Sequence, residues 1–227
     1  MIFFNFTQSE VKKITEVPLI LEKDWLVNSK LGIWQWEEGE ESFMEKMELT
    51  EVERTFLNKA KGRRRREWLT SRWLIHHMTG FYKRAPCLVD EFGKPHLANT
   101  DFEISISHSS DHAAVLFSEK PIGVDIQRLV DKIGRIEHKF MREEESAALN
   151  EEHKIEHLHV FWGAKESMYK AYGRKKLDFR GNMSILPFHF MSSGVIKGIV
   201  RKEEFCKEYT IQYERFNDFM LVGAEED

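Results

Sequence analysis

The chain has 227 residues, a formal net charge of −4 and 41% hydrophobic residues, with six Trp and seventeen Phe. This composition excludes intrinsic disorder, and the length fits one domain or two halves of roughly 100 residues each. The spacing of Cys87 and Cys206 fits neither a disulfide framework nor a metal site. No apolar run approaches the roughly 20 residues that span a bilayer, and the N-terminus lacks a signal-peptide pattern, so we expect a cytoplasmic protein without a membrane span.

Charge is segregated in the first third of the chain. Residues Glu37–Glu53 contain eight glutamates, whereas Lys59–Arg72 contains seven Lys or Arg and one acid. Thr50 and Glu53 have the spacing of a capping box, and apolar residues follow at helical spacing. We predict a helix or a helical pair over residues 49–78, with the run of four arginines at 63–66 on a packed helix.

The next segments alternate in the manner of short strands. Apolar residues alternate with Ser105 and Ser107 over residues 104–107, and an apolar run follows at 113–117. A third strand is predicted over residues 122–127, in which Asp125 and Gln127 point to the same, less apolar face.

The second half predicts helices followed by strands. Helical patterns cover residues 136–149 and 154–172, and Gly173 has the position of a C-terminal helix stop. In the second helix Glu166 and Lys170 share one stripe, and Lys165 lies on the neighbouring stripe. Strands are predicted at 194–200, 209–215 and 219–222. A weak repeat of the strand pattern predicts an α+β fold of two pseudo-symmetric halves, each a small antiparallel sheet packed with helices, dividing near residue 120.

These segments carry acidic and basic groups suited to one chemistry. Asp125 and Glu166 could hold a hard cation, while Lys170 could meet a phosphate, which together are the minimum equipment for phosphoryl-type transfer. Taken alone, Glu166 and Lys170 are equally compatible with an ordinary surface pair spaced four residues apart.

Four motifs in order resemble one family. They are GKPHL at 93–97, SISHS at 105–109, GVDIQ at 123–127 and WGAKESMYK at 162–170. Together they resemble the 4′-phosphopantetheinyl transferase superfamily, and more closely its larger pseudo-dimeric, surfactin-synthetase-activating class. The resemblance implies transfer of the phosphopantetheine arm of coenzyme A to a serine of an acyl, peptidyl or polyketide carrier protein, with release of adenosine 3′,5′-bisphosphate. It also implies Mg²⁺, or Mn²⁺ in its place, a monomer, and an active site between the halves.

The resemblance also implies roles for individual residues. Asp125 and Glu166 would bind the metal together with Gln127, which replaces the second acid of the usual motif and removes one negative charge. Lys170 would stabilise and protonate the leaving phosphate. Glu166 and Glu145 are both candidates for the base that takes the serine proton, and the sequence does not choose between them.

The remaining implied contacts are with coenzyme A. Residues 1–120 would meet its adenine and 3′-phosphate, and residues 121–227 would supply the metal site and the catalytic helix. From the arginine run at 63–66 and the separate Arg72, the residues chosen are Arg65 and Arg72, for their spacing from Glu67 and Trp68; a shift of one residue changes the choice within the run. The implied contact residues are Arg65, Arg72, Lys94, Pro95, Ser107, His108, Asp125, Lys165 and Lys170.

Two other functions fit part of the sequence. A relative that binds coenzyme A without catalysis would explain Gln127, but the retained acidic and basic residues argue against it. Nucleic-acid binding through Lys59–Arg72 is disfavoured because the rest of the chain is neutral or acidic and no recognition motif accompanies the run. We therefore expect no nucleic-acid and no membrane partner. The sequence does not identify the carrier.

Overall fold

The structure, a computed structural model, describes residues 19–36, 43–44, 47–80 and 84–227. The first sheet is antiparallel in the order β1-β2-β6-β5-β4-β3. Its strands are β1 (Leu19–Asp24), β2 (Ser29–Gln35), β3 (Cys87–Val89), β4 (Pro95–Leu97), β5 (Glu103–Ser109) and β6 (His112–Ser118).

The predicted helical pair is confirmed. Helix α1 spans Glu51–Lys59 and helix α2 spans Gly62–Thr79. Thr50 and Glu53 form the expected capping box, in which the Glu53 N–H donates to Thr50 Oγ1 (3.3 Å) and the Thr50 N–H donates to Glu53 Oε2 (2.9 Å). Helix α2 packs on β2 and β6 and buries Trp68, Leu69 and Leu74 in the core of this half.

The second sheet is antiparallel in the order β7-β11-β10-β9-β8. Its strands are β7 (Ile122–Arg128), β8 (Met183–Ile185), β9 (Ser193–Lys202), β10 (Phe205–Phe216) and β11 (Phe219–Glu226). Helix α5 (Lys154–Tyr172) packs on β7 and β11 and ends at Gly173, whose φ of 68° confirms the predicted stop.

The predicted helix over residues 136–149 is wrong in its continuity. A 3₁₀ helix (Asp131–Ile136), α3 (Glu137–Phe140) and α4 (Glu143–Ala147) replace it. Met141 and Arg142 have extended backbone, and Arg142 donates its N–H to Glu145 Oε2 (2.9 Å), which starts a new helix there.

The predicted fold class, α+β with two antiparallel sheets and helix cover, is confirmed. The two sheets meet along an apolar seam that includes side chains from β2 and β6 on one side and from β7 and β11 on the other. Its members include Leu31, Ile33, Leu116, Val124, Ile126 and Leu221. None of the helices in the described part of the chain combines the length and apolar character needed to cross a bilayer.

Gly123 sets how closely α5 approaches β7. A Cβ at this position would lie 1.8 Å from the carbonyl oxygen of Ser167, a backbone atom that cannot rotate away. The close approach brings the side chains of α5 down onto those of β7, and the glycine of the GVDIQ motif is therefore a packing requirement.

Replacement of Gly123 by Ala is expected to destabilise the fold by about 3 kcal/mol, because helix and strand must separate to admit one methyl group. Gly134→Ala is the matched control, since a Cβ there meets no atom within 4 Å. Urea unfolding of both variants measures the difference. Equal stability of the two would contradict this packing role.

Candidate functional site

Three serines of β5 attach the first sheet to the second. Alternate residues of a strand point to one face, and here the hydroxyls of Ser105, Ser107 and Ser109 meet the free edge of β7. Each hydroxyl accepts from a backbone N–H of that strand, from Val124 (2.9 Å), Ile126 (3.2 Å) and Arg128 (2.9 Å) respectively. We call Ser105, Ser107 and Ser109 the serine ladder. Their hydroxyls take the place of a neighbouring strand and pair backbone N–H groups of β7 that would otherwise have no acceptor.

Asp125 lies at the centre of a polar cluster on the same edge. Its Oδ1 accepts from Ser107 Oγ (2.9 Å) and from Lys170 Nζ (2.9 Å), and its Oδ2 accepts from Gln127 Nε2 (2.9 Å). The Lys170 ammonium also donates to Ser107 Oγ (3.0 Å) and to the Val124 carbonyl (2.7 Å). All three of its donors are engaged, so a phosphate oxygen that binds Lys170 must replace one of these partners.

Glu166 brings a second carboxylate to this cluster. Burial and the nearby Asp125 raise the pKa of its carboxyl above the usual range, while Lys170 acts in the opposite direction. Within the described part of the chain Glu166 forms no hydrogen bond or ion pair with another side chain. A largely buried carboxylate without a hydrogen-bonded partner is unfavourable by itself, and it is suited to a metal ion or a proton.

The donor set fits a hard divalent cation. Among the described residues no group of three or more His, Cys, Asp or Glu side chains has the arrangement of a metal site. Mg²⁺ needs fewer, because it commonly takes one or two carboxylates and completes its shell with phosphate oxygens and water. Asp125 and Glu166 could supply the carboxylates. The Gln127 amide N–H donates to Asp125, so the amide oxygen remains available as a third metal ligand.

Lys165 and Glu145 lie elsewhere, in the core of the second half. Their side chains are 0% and 1% exposed, and Lys165 Nζ donates to Glu145 Oε2 (2.6 Å) and to the Phe140 carbonyl (2.6 Å). Glu145 Oε1 accepts from the Ile185 N–H (2.9 Å). The pair joins α4, α5 and β8, and it does not contact Asp125.

Lys94 and Pro95 lie beside the end of α5. Lys94 Nζ pairs with Glu103 (2.6 Å), and the Lys94 stem packs so closely on Gly173 that a Cβ there would lie 2.8 Å from Lys94 Cδ. Pro95 begins β4 and pairs with Val89. Lys94 therefore lies next to the helix that carries Lys170, and its ammonium is paired with Glu103.

The predicted arginines are occupied by contacts within the helical pair. Arg65 donates to the Leu57 carbonyl, which fastens α2 to α1. The buried Arg72 guanidinium lies 5.0 Å from the centre of the Trp68 ring and donates to Ser71 Oγ (3.3 Å). Neither residue contacts the Asp125 cluster.

Arg63 and Arg66 are instead the arginines that line a cavity beside His108. This cavity has a volume of about 190 Å³ and is also lined by Thr70 and by Glu67, which forms an ion pair with Arg63 (2.6 Å). Nε2 of His108 donates to the Glu67 carbonyl (2.9 Å), and burial lowers the pKa of the ring to about 4. Arg63 and Arg66 are three residues apart and so lie on one face of α2, and this spacing could have identified the two arginines from the sequence.

A larger, open cavity of about 590 Å³ shares Arg63 with the first and reaches Gln127. The charged side chains that line it are all basic, and Trp162 and Ile133 form part of its apolar wall. They are Arg63, Arg128, Lys132 and Arg135. The cluster around Asp125 therefore adjoins a surface suited to anions.

Two histidines of α5 are buried and act as hydrogen-bond acceptors. His157 Nδ1 accepts from the Asn150 N–H (3.0 Å), and His159 Nε2 accepts from the Val130 N–H (3.0 Å). An acceptor nitrogen requires a neutral ring, and burial lowers the pKa of each ring to about 4 from its ordinary value near 6.5.

Stability is therefore expected to fall as the pH drops from about 6.5 to about 4. In this range the two histidines bind protons in the unfolded chain but stay neutral in the folded chain. At about pH 5 each histidine should lower the free energy of unfolding by roughly 1–2 kcal/mol. In the double variant H157N/H159Q an amide oxygen replaces each acceptor nitrogen, and this part of the pH dependence should disappear. Urea unfolding at about pH 7.5 and pH 5 measures it. An unchanged pH slope in the variant would contradict the assignment.

Comparisons with known proteins agree with the motifs. The family model described as the 4′-phosphopantetheinyl transferase superfamily matches residues 121–221. The chain is 32% identical over 88 residues to 4′-phosphopantetheinyl transferase gsp of Aneurinibacillus migulanus, a match that covers 37% of each chain. It is 31% identical over 90 residues to a 4′-phosphopantetheinyl transferase of Bacillus subtilis, covering 38% of this chain and 40% of that protein.

These matches span less than half the length of either relative. The region that matches the family model contains β7 and α5, which carry Asp125, Gln127, Glu166 and Lys170. The predicted resemblance to the 4′-phosphopantetheinyl transferase superfamily is confirmed for residues 121–221, which contain the GVDIQ and WGAKESMYK motifs.

Proposed function

We propose that this protein transfers the 4′-phosphopantetheine arm of coenzyme A to a serine hydroxyl of an apo carrier protein and releases adenosine 3′,5′-bisphosphate. One observation carries the proposal: Asp125, Glu166 and Lys170 converge within the region that matches the family, next to a cavity whose charged lining is basic. Two carboxylates and an ammonium provide what a pyrophosphate and a leaving phosphate require.

Coenzyme A is proposed to lie across the two halves, residues 1–120 and 121–227. The cavity beside His108, with Arg63 and Arg66, would receive the 3′-phosphate end. The pyrophosphate would then lie near Asp125 and Glu166, where Mg²⁺, or Mn²⁺ in its place, supplies neutralisation of phosphate charge when bound. Because both halves of one chain contribute, a monomer suffices, and we propose that it acts in the cytoplasm.

In the proposed reaction the carrier serine oxygen attacks the phosphorus that bears the pantetheine arm. A bond from that oxygen to phosphorus forms, and the bond from phosphorus to the bridging oxygen of the nucleotide breaks. Glu166 takes the serine proton, because among the described side chains its carboxylate has no hydrogen-bond or ion-pair partner and has an oxygen free to accept that proton. Lys170 exchanges one of its protein contacts for the leaving phosphate and stabilises or protonates it.

The choice between the two candidate bases follows from their surroundings. Glu145 is buried, and its two oxygens accept from Lys165, from the Arg142 N–H and from the Ile185 N–H. The oxygens of Glu145 are already engaged by these donors inside the protein, whereas Glu166 has no such partners among the described side chains. We therefore propose Glu166 as the base and assign Glu145 and Lys165 an internal role.

Gln127 is proposed to lower the affinity for the metal ion. Gln127→Glu should bind Mn²⁺ about tenfold more tightly, because a carboxylate adds negative charge to the ligand set. It should also be less stable without metal, because three carboxylates then share the site. Calorimetric titration with Mn²⁺ measures the affinity, and Gln212→Glu, elsewhere in the second sheet, is the control. Weaker binding by Gln127→Glu would contradict this role.

Mass spectrometry of intact carrier proteins tests the proposed function. A panel of apo carriers from fatty-acid, polyketide and peptide synthesis is incubated with the protein, coenzyme A and Mg²⁺. Attachment of one phosphopantetheine group to at least one carrier is the expected result, and the panel also identifies the preferred partner. Binding of coenzyme A with no adduct on any carrier would overturn the proposal in favour of a binding protein without transferase activity.

A further inference from the structure

Ser107 differs from the other members of the serine ladder in the number of bonds that its hydroxyl makes. It accepts from the Ile126 N–H (3.2 Å) and from Lys170 Nζ (3.0 Å), and it donates to Asp125 Oδ1 (2.9 Å). A hydroxyl has one proton and two lone pairs, so its capacity is fully used. The residue is only 5% exposed, and all three of these bonds are to protein groups.

Ser105 provides the natural comparison. It is as buried as Ser107, at 3% exposed, and it accepts from the Val124 N–H at a similar distance (2.9 Å). Its hydroxyl makes no hydrogen bond to Asp125 or to Lys170. The two serines therefore share the role of joining β5 to β7, and Ser107 alone of the ladder adds direct bonds to the carboxylate and the ammonium.

We propose that Ser107 is a positioning residue that holds the Asp125 carboxylate and the Lys170 ammonium in one fixed arrangement and ties that arrangement to the docking of the two sheets. This inference rests on the proposed function. Its consequence is that the first sheet contributes to the reaction through the orientation of groups on the second, as well as through its own contacts with coenzyme A.

Three variants test the proposal: Ser107→Ala, Ser105→Ala and Ser107→Thr. Both alanine variants should lower the melting temperature because each leaves one N–H of β7 unpaired, by about 3–6 °C for Ser105→Ala and by more for Ser107→Ala, which also removes the bonds to Asp125 and Lys170. Only Ser107→Ala should lower kcat, by about 10- to 100-fold, with KM for coenzyme A changed less than about twofold. Ser105→Ala should keep wild-type kcat, and Ser107→Thr, which retains the hydroxyl, should recover most of the loss.

Binding of Mn²⁺, followed by electron paramagnetic resonance, gives a readout that does not depend on transfer. Ser107→Ala should weaken Mn²⁺ binding by about tenfold relative to Ser105→Ala. If the wild type modifies no carrier, the proposed function fails, and this difference still decides whether Ser107 positions Asp125.

Three results would overturn the inference. A higher KM for coenzyme A with unchanged kcat in Ser107→Ala would make Ser107 a ligand contact. Equal losses of kcat in both alanine variants would make its role purely structural. A wild type that neither modifies a carrier nor binds Mn²⁺ would remove both the inference and the function on which it rests.

Discussion

Glu166→Gln is expected to reduce phosphopantetheinyl transfer by about 10³-fold while leaving the protein at least as stable as the wild type. The substitution keeps the shape of the side chain and removes its charge. Burial and Asp125 raise the pKa of this carboxyl, so its charged form is less favourable in the folded chain than in the unfolded chain. Loss of that charge should raise stability, by on the order of 1 kcal/mol, while it removes a metal ligand and the proposed base.

Initial rates of carrier modification and melting temperatures, both near neutral pH, measure the two effects together. Glu156→Gln is the matched control, because it makes the same change on the same helix at a surface pair with Arg215 (3.4 Å). Asp125→Ala should abolish transfer as well, but it should also lower stability because Lys170 loses its charge partner. Wild-type activity in Glu166→Gln or in Asp125→Ala would show that the metal assignment is incorrect.

Lys165→Met is expected to destabilise the protein by about 3–5 kcal/mol. The substitution leaves Glu145 as an uncompensated charge in a position that is 1% exposed for its side chain. It also removes the donor to the Phe140 carbonyl. Glu145→Gln added to Lys165→Met should recover part of the loss, because it neutralises the charge left behind.

Urea unfolding near neutral pH measures these free energies. Lys154→Met, at the exposed start of the same helix, is the control and should change stability by less than about 1 kcal/mol. If Lys165→Met unfolded at the same urea concentration as the wild type while KM for coenzyme A rose, Lys165 would be a contact to the pyrophosphate, as the family resemblance implies, and its internal role would be incorrect.

The sequence predicted those features of the fold that depend on interactions between residues close in the chain. The capping box at Thr50 and Glu53, the stop at Gly173 and the shared face of Asp125 and Gln127 each depend on residues close in sequence, and each is present. Strand β2 was missed because it is buried on both faces, so its hydrophobic residues do not alternate. Strands β3 and β4 have three residues each, too few for a periodic signal.

In the candidate site too, the sequence predicted what depends on residues close in sequence and not what depends on how the elements pack. Spacing of four residues put Glu166 and Lys170 on one face of α5, but the destination of Lys165 depended on Glu145, whose position the sequence did not define. The alternating serines of β5 indicated a strand. Their hydrogen bonds to β7 could not be predicted, because they depend on how the two sheets meet.

The most direct test of the proposed transfer is its stoichiometry. Adenosine 3′,5′-bisphosphate and modified carrier are quantified in one reaction, with Mg²⁺ or with a chelator, for the wild type and for Glu166→Gln. We expect equal amounts of the two products, formed only with carrier, divalent cation and the wild-type carboxylate. Nucleotide release without carrier, or carrier modification by Glu166→Gln at the wild-type rate, would contradict a transferase that acts through Asp125, Glu166 and Lys170.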